Sequence, residues 1–278
     1  MDDDTRKPTY ETLETTIIQD PFGKRPFGIV RIKNGMFYVT RPIDSRLEIY
    51  NAELKLVGKY TVKGIITAMD VDSDGVIYIC KGVEIYRSKN DGCLEYIERD
   101  KKEDFSTEYD HMRIHEKNKD VLVRNDKTLC IDIYSIKTER KWVFRGTLEK
   151  KNTVRFEINS RGDTVGLNVC ISPFFAFWDQ NYQHMFNLNC FDGPTIGDVL
   201  HSYNFFSLDS YDRIIHGTKG FITIVEPDKQ VQYQSIEKDG FTDIKNSGDD
   251  IYMISIYNNA IKIIKNVFHP SWLFLFLF

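Results

Sequence analysis

Ala68-Met69-Asp70-Val71-Asp72-Ser73-Asp74-Gly75-Val76-Ile77-Tyr78-Ile79, closed a few residues later by Val83-Glu84-Ile85-Tyr86, is the stretch that decides how this chain folds. Two apolar runs of strand length flank a turn of Asp, Ser and Gly. Those residue types bond their own backbone or tolerate a left-handed φ, which a tight strand connection needs. The closing strand has the form apolar-x-apolar-aromatic. The same figure returns along the whole chain. Its turns are Lys33-Asn34-Gly35, Asp72-Ser73-Asp74-Gly75, Lys117-Asn118-Lys119-Asp120, Asn159-Ser160-Arg161-Gly162, Asp209-Ser210-Tyr211-Asp212 and Asn246-Ser247-Gly248-Asp249. The closing strands end at Tyr50, Tyr86, Tyr134, Trp178, Val225 and Ile264, spaced 36, 48, 44, 47 and 39 residues apart. A period of that size built only of strands, with no helical periodicity, predicts propeller blades.

The expected architecture is therefore all-β: a six-bladed β-propeller of four-stranded antiparallel blades. In the first blade the strands read Gly28–Ile32, Met36–Thr40, Leu47–Tyr50 and Leu54–Tyr60; in the second, Ile65–Val71, Val76–Cys80, Val83–Tyr86 and Leu94–Glu98. The sixth repeat has only three clear strands, Phe241–Lys245, Ile251–Ser255 and Ala260–Ile264. The β-branched segment Thr12–Ile18 is the favoured fourth, joining both ends of the chain in one sheet and closing the ring; the C-terminal tail is the alternative. The division expected is a disordered polar N-terminus at 1–11, the propeller at 12–267 and an apolar tail at 268–278. The run Trp272–Phe278 is far short of the ~20 residues that span a bilayer. It is read as buried on the last blade, inserted in a partner, or the product of a misread gene end.

A formal net charge of −4 over 278 residues leaves no global basic field to draw the molecule onto nucleic acid or anionic lipid. The five cysteines contain no C-x-x-C pair, and the start Met1-Asp2-Asp3-Asp4 lacks the basic and apolar regions of a signal peptide. Reduced thiols, a cytoplasmic location and no membrane association are the expectation.

The first two repeats resemble the NHL family of propeller repeats. Repeat one carries Pro26-Phe27-Gly28-Ile29, then Asn34-Gly35-Met36-Phe37-Tyr38-Val39, then Arg46-Leu47-Glu48-Ile49-Tyr50; repeat two follows the same course to Ile85-Tyr86. The likeness is good over about residues 21–100 and fades to strand spacing beyond. It implies a non-catalytic scaffold that recognises a protein partner through the loop face, with no cofactor. NHL propellers that bind single-stranded RNA make RNA recognition the alternative, though their strongly basic face has no counterpart in this composition. The chain also lacks the zinc-binding Cys/His framework of the ligases in which such propellers often occur.

Three sets of residues are candidates for chemistry. Asp70-Val71-Asp72-Ser73-Asp74-Gly75 copies the opening of an EF-hand calcium loop, but Lys81 stands where the bidentate Glu belongs and Tyr78 where a further ligand belongs. A plain strand turn needs the same Asp and Gly. The polar residues of the inner strands, His111, Arg113, Arg155, Glu157, Thr242 and Asp243, suit an axial site. A calcium-dependent, lactonase-like hydrolase with a His general base is the second alternative. The cationic residues at one set of loops, Lys24, Arg25, Arg41, Lys63 and Lys150, are the candidate ligand-binding residues of the loop face, diluted by neighbours such as Asp20 and Asp44. Phosphate loops, nucleophile elbows and His-Glu-x-x-His are absent from the sequence.

Overall fold

The computed structural model describes residues 15–24, 27–89, 92–99, 108–148, 152–168, 174–189, 205–208, 212–218, 221–225, 231–235, 243–247, 250–255 and 260–264. Every described element is a strand. The first strand, β1 (Thr15–Gln19), is set aside for the moment, because it joins the last sheet. The first antiparallel group is β2 (Val30–Lys33), β3 (Met36–Arg41), β4 (Arg46–Tyr50) and β5 (Leu56–Thr61), hydrogen-bonded in that order. The second is β6 (Ala68–Val71), β7 (Ile77–Lys81), β8 (Glu84–Ser88) and β9 (Leu94–Arg99). The third is β10 (Tyr109–His115), β11 (Asp120–Asn125), β12 (Ile131–Thr138) and β13 (Lys141–Leu148). Then come β14 (Thr153–Ile158), β15 (Thr164–Asn168), β16 (Phe174–Trp178) and β17 (His184–Asn189), followed by β18 (Phe205–Leu208), β19 (Ile214–Thr218), β20 (Phe221–Val225) and β21 (Val231–Ser235). The last group is β22 (Asp243–Ser247), β23 (Asp250–Ser255) and β24 (Ala260–Ile264), and β1 completes it by pairing with β24 from Thr15↔Ile264 to Gln19↔Ala260. Of the segment Thr12–Ile18 expected to do this, residues 12–14 lie outside the described residues, as do the N-terminal residues 1–11 and the tail 268–278.

The first strands of successive groups touch in order: β2 meets β6, β6 meets β10, β10 meets β14, β14 meets β18, β18 meets β22, and β22 meets β2. Apolar side chains fill the spaces between groups rather than one central core. Tyr38 and Leu47 pack on Met69, Val71, Ile77 and Ile79; Val30, Phe37 and Val39 pack on Ile254 and Ile261; Leu122 and Ile133 pack on Phe156 and Trp178. That is why β3 and β7 read as nearly continuous apolar runs: their side chains are buried on both faces of the strand.

The strand segments expected from the sequence each have a counterpart, with ends moved by up to four residues. β12 runs on to Thr138, past the expected end at Tyr134. β6 begins at Ala68 instead of Ile65; Ile65 is 68% exposed after Gly64, whose φ of +94° only glycine takes without strain. One pairing was not expected. β9 and β13 run parallel over Lys141↔Glu98 and Trp142↔Arg99, merging the second and third groups into an eight-stranded sheet. The Arg99 guanidinium lies 5.1 Å from the Tyr109 ring and 5.8 Å from the Tyr134 ring, so a cation–π contact fixes the seam.

Candidate functional site

On the inner strands, charged residues alternate with apolar ones. Arg31 stands between Val30 and Ile32, Asp70 between Met69 and Val71, Arg113 between Met112 and Ile114; Arg155 and Glu157 flank Phe156, and Asp243 and Lys245 flank Ile244. Period-two geometry places each set on one face, and the contacts show residues of those faces meeting. Arg31 Nε lies 3.9 Å from Asp70 Oδ1, and Arg31 Nη1 lies 3.9 Å from Asp243 Oδ2. Arg31 also donates to the Met69 carbonyl at 2.8 Å. Arg113 binds Glu157 with two parallel N–H donors. Lys245 Nζ donates to Asp243 Oδ1 at 3.0 Å, and Arg124 grips Asp110 through two N–H donors.

Burial and charge set the protonation of this cluster. Burial works against ionisation of Asp243, but Lys245, Arg155 and Arg31 outweigh it and hold the carboxyl at about 2. Burial likewise opposes ionisation of Glu157, and Arg113 overrides it, keeping the carboxyl below its ordinary range. Lys245 falls from 10.5 to about 8, because desolvation of the ammonium exceeds the support from Asp243. Arg31 is lowered to about 10 by burial and by Arg113, against the pull of Asp243 and Asp70. Burial, with Arg113, Arg155 and Arg31 around it, pushes His111 well below its usual value, so its ring is neutral. His111 Nε2 therefore donates to the Phe156 carbonyl at 2.8 Å, and Nδ1 accepts from Arg155 Nη1 at 3.1 Å. With both ring nitrogens engaged, His111 holds strands together and is not placed to act as the general base expected of it.

One end of this cluster opens into a cavity of about 180 Å³. Its wall is Gly28, Ile29, Val30, Arg31, Ala68, Asp110, Arg155, Asp243 and Ile254. Arg155 differs from the other guanidinium groups. Among the described residues it makes no salt bridge, and its one hydrogen bond uses one Nη1 donor, so further donors remain for a ligand. Thr242, expected beside these groups, lies outside the described residues.

Calcium does not fit this cluster. Asp110 is occupied by Arg124, Glu157 by Arg113 and Asp243 by Lys245, while Asp70 accepts from the Ile114 backbone N–H at 2.8 Å. A hard dication needs several oxygen ligands free of such partners. Among the described residues, no three His, Cys, Asp or Glu converge for a metal. The EF-hand-like stretch is a turn: Asp72 Oδ1 accepts from the Asp74 and Val76 backbone N–H groups at 3.0 and 2.8 Å, and Gly75 has φ of +79°.

The loop-face candidates separate. Lys24 and Arg41 come together on the wall of a second cavity of about 430 Å³, with Phe22, Gly23, Arg46, Glu48 and Tyr50. Arg41 is not a solvated loop residue as expected; it is 3% exposed, and its Nε donates to Glu48 Oε2 at 2.7 Å. Lys63 is exposed and lines neither cavity, and Arg25 and Lys150 lie outside the described residues. Sequence reasoning passed over Arg31, Asp70 and Lys245 as channel groups; the signal was a charge inside an otherwise apolar inner strand.

No protein family and no characterised protein sequence matches the chain. Solved structures do match in shape. A virginiamycin B lyase from Staphylococcus aureus aligns at a TM-score of 0.63 with 8% identity, over 91% of this chain and 99% of that one. A luciferin-regenerating enzyme aligns at 0.65 with 9% identity, over 91% and 95%. The Dos1 propeller aligns at 0.56 with 9% identity, over 86% and 78%. Two of these three are named as enzymes, and this corrects the expectation of a non-catalytic protein-recognition scaffold. That expectation rested on the resemblance of the first two repeats to NHL propellers, beside the absence of linear catalytic motifs. In this architecture ionisable groups are assembled from separate strands, and no linear motif is needed to bring them together. The chain has the fold of a β-propeller.

Proposed function

We propose that the chain is a six-bladed propeller enzyme, NHL-like in its first two blades and closed by the β1–β24 pairing, that hydrolyses a small ester or lactone at the axial cavity. The cyclic order of contacts among β2, β6, β10, β14, β18 and β22 supports the blade count. The observation that carries the catalytic reading is Arg155, which lines a cavity of about 180 Å³ together with Asp243 and makes no salt bridge among the described residues. An unengaged guanidinium donor in a half-buried cavity stabilises negative charge building on a carbonyl oxygen, and afterwards receives the product carboxylate.

Asp243, ionised and held by Lys245, accepts a hydrogen bond from the attacking water and orients it. The water oxygen forms the new bond to the carbonyl carbon and the C–O bond to the leaving oxygen breaks. One water proton ends on the leaving oxygen and the other is released from the new acid to solvent. Calcium has no part in this reading. Names of enzymes among the structural neighbours support a catalytic use of the same scaffold.

The test is turnover of five- and six-membered lactones and small aryl esters, with and without a chelator, by the native chain and Arg155→Met. Chelator-insensitive turnover whose kcat/KM falls about 10²-fold in the variant supports the reading. Absence of turnover across the panel, or equal turnover by a folded Arg155→Met, rejects it.

A further inference from the structure

We infer that the second cavity, between Phe22–Lys24 and the β3–β4 hairpin, binds a small organic anion carrying a ring. At about 430 Å³ it is more than twice the axial cavity and lies in the range of small-molecule sites. It does not depend on the hydrolase reading. Thr40 accepts the Gly28 N–H on its carbonyl at 2.9 Å and the Ile29 N–H on its Oγ1 at 2.8 Å, so Gly28 and Ile29 face the axial cavity while Arg41, next along β3, faces this one.

The wall is positively biased and already organised. Three cations, Lys24, Arg41 and Arg46, meet one carboxylate, Glu48. That carboxylate is largely spent inside the protein, because its Oε2 accepts from Arg41 Nε at 2.7 Å and from the Tyr50 hydroxyl at 2.6 Å. Arg41 and Tyr50 are also joined at 3.1 Å, and Arg41 donates to the Phe22 carbonyl, so the buried guanidinium cannot swing away. At the rim, Arg46 makes a 3.3 Å contact with Asp44, whereas Lys24 is exposed and has no partner among the described residues. An ammonium with no partner among the described residues, beside a fixed, buried guanidinium, selects an anionic group. The remaining wall is aromatic: Phe22 and Tyr50 sit 4.8 Å apart at 43°. Gly23, with φ of +85° and open space where a Cβ would stand, keeps that side clear. Charge at the rim over an aromatic wall fits a planar ring that ends in phosphate or carboxylate.

The test is calorimetric titration of the full chain with phenyl phosphate, benzoate, inorganic phosphate and neutral phenol, repeated on Lys24→Met/Arg46→Met and on Arg155→Met. The expected result is binding of a ring-bearing anion, tighter than inorganic phosphate or phenol, weakened at least ~10-fold in the double variant and unchanged in Arg155→Met. Preference between phenyl phosphate and benzoate then assigns the acidic group. No binding by any probe, equal binding by the double variant, or loss confined to Arg155→Met would overturn the inference. The last of these outcomes would move the anion to the axial cavity.

Discussion

Replacing Lys245 by Met gives a stability signature that depends on pH in a way no surface lysine produces. The Lys245 ammonium titrates at about 8 in the folded chain, against 10.5 for the free side chain. Between those values the unfolded chain binds more protons, so stability rises with pH. Integrating that difference gives about 1 kcal/mol between about pH 8 and about pH 9, out of a total near ~3 kcal/mol for the whole shift. Other groups oppose the trend. Burial raises the Cys80 thiol above 9.0, and Tyr78 is raised to about 12 by burial and Asp72, so both lose stability as the unfolded chain ionises at alkaline pH. Subtracting Lys245→Met from the native chain removes these shared contributions. The groups facing Lys245 (Asp243, Arg31, Glu157 and Arg113) all titrate outside the window up to about pH 9. Urea unfolding of both chains at several pH values from about 7 to about 9 reads the difference directly. The native chain should gain about 1 kcal/mol on the variant between the upper two points. A flat difference would refute a desolvated Lys245, whatever the absolute stability of the variant.

Three further outcomes follow from the same contacts. Glu157→Gln leaves the buried Arg113 without its charge partner and should cost about 3 kcal/mol in chemical denaturation, while Arg113→Met/Glu157→Leu should recover part of that loss. Asp72→Ala removes two turn hydrogen bonds and should lower stability by about 1–2 kcal/mol, with the melting temperature of both native chain and variant unmoved by millimolar calcium; a calcium-dependent rise would restore the metal-loop reading. Gly28→Ala places a Cβ 2.7 Å from Thr40 Oγ1 and 3.1 Å from Pro42 Cγ, so it should break the Thr40–Ile29 bond and destabilise by about 1–3 kcal/mol in thermal unfolding.

The strands were legible because each carries its own evidence. β24 begins and ends where the sequence pattern put it, at Ala260 and Ile264, and the turn at Asp72–Gly75 declares itself through an Asx pattern and a glycine. The parallel seam of β9 and β13 had no such local mark, because it depends on Arg99 reaching Tyr109 and Tyr134 of the next group. The site was half legible for a related reason. A charge between two apolar residues of an inner strand says only that the side chain shares the opposite face. It does not say which charge from another group will stand across from it. Arg31 and Asp243 come from opposite ends of the chain and meet because β2 contacts β22, so their pairing is a property of that tertiary contact and not of either strand.

The same logic separates the two cavities. Where the inner strands meet, cations and carboxylates from different strands come into contact and most of them pair, while Arg155 makes no salt bridge among the described residues. In the outer cavity, Arg41, Glu48 and Tyr50 belong to one hairpin and pair with one another, while Lys24 has no partner among the described residues. Counting charges along the sequence treats these cations alike. What distinguishes them is whether a carboxylate is held in a salt bridge, and among the described residues neither Arg155 nor Lys24 holds one.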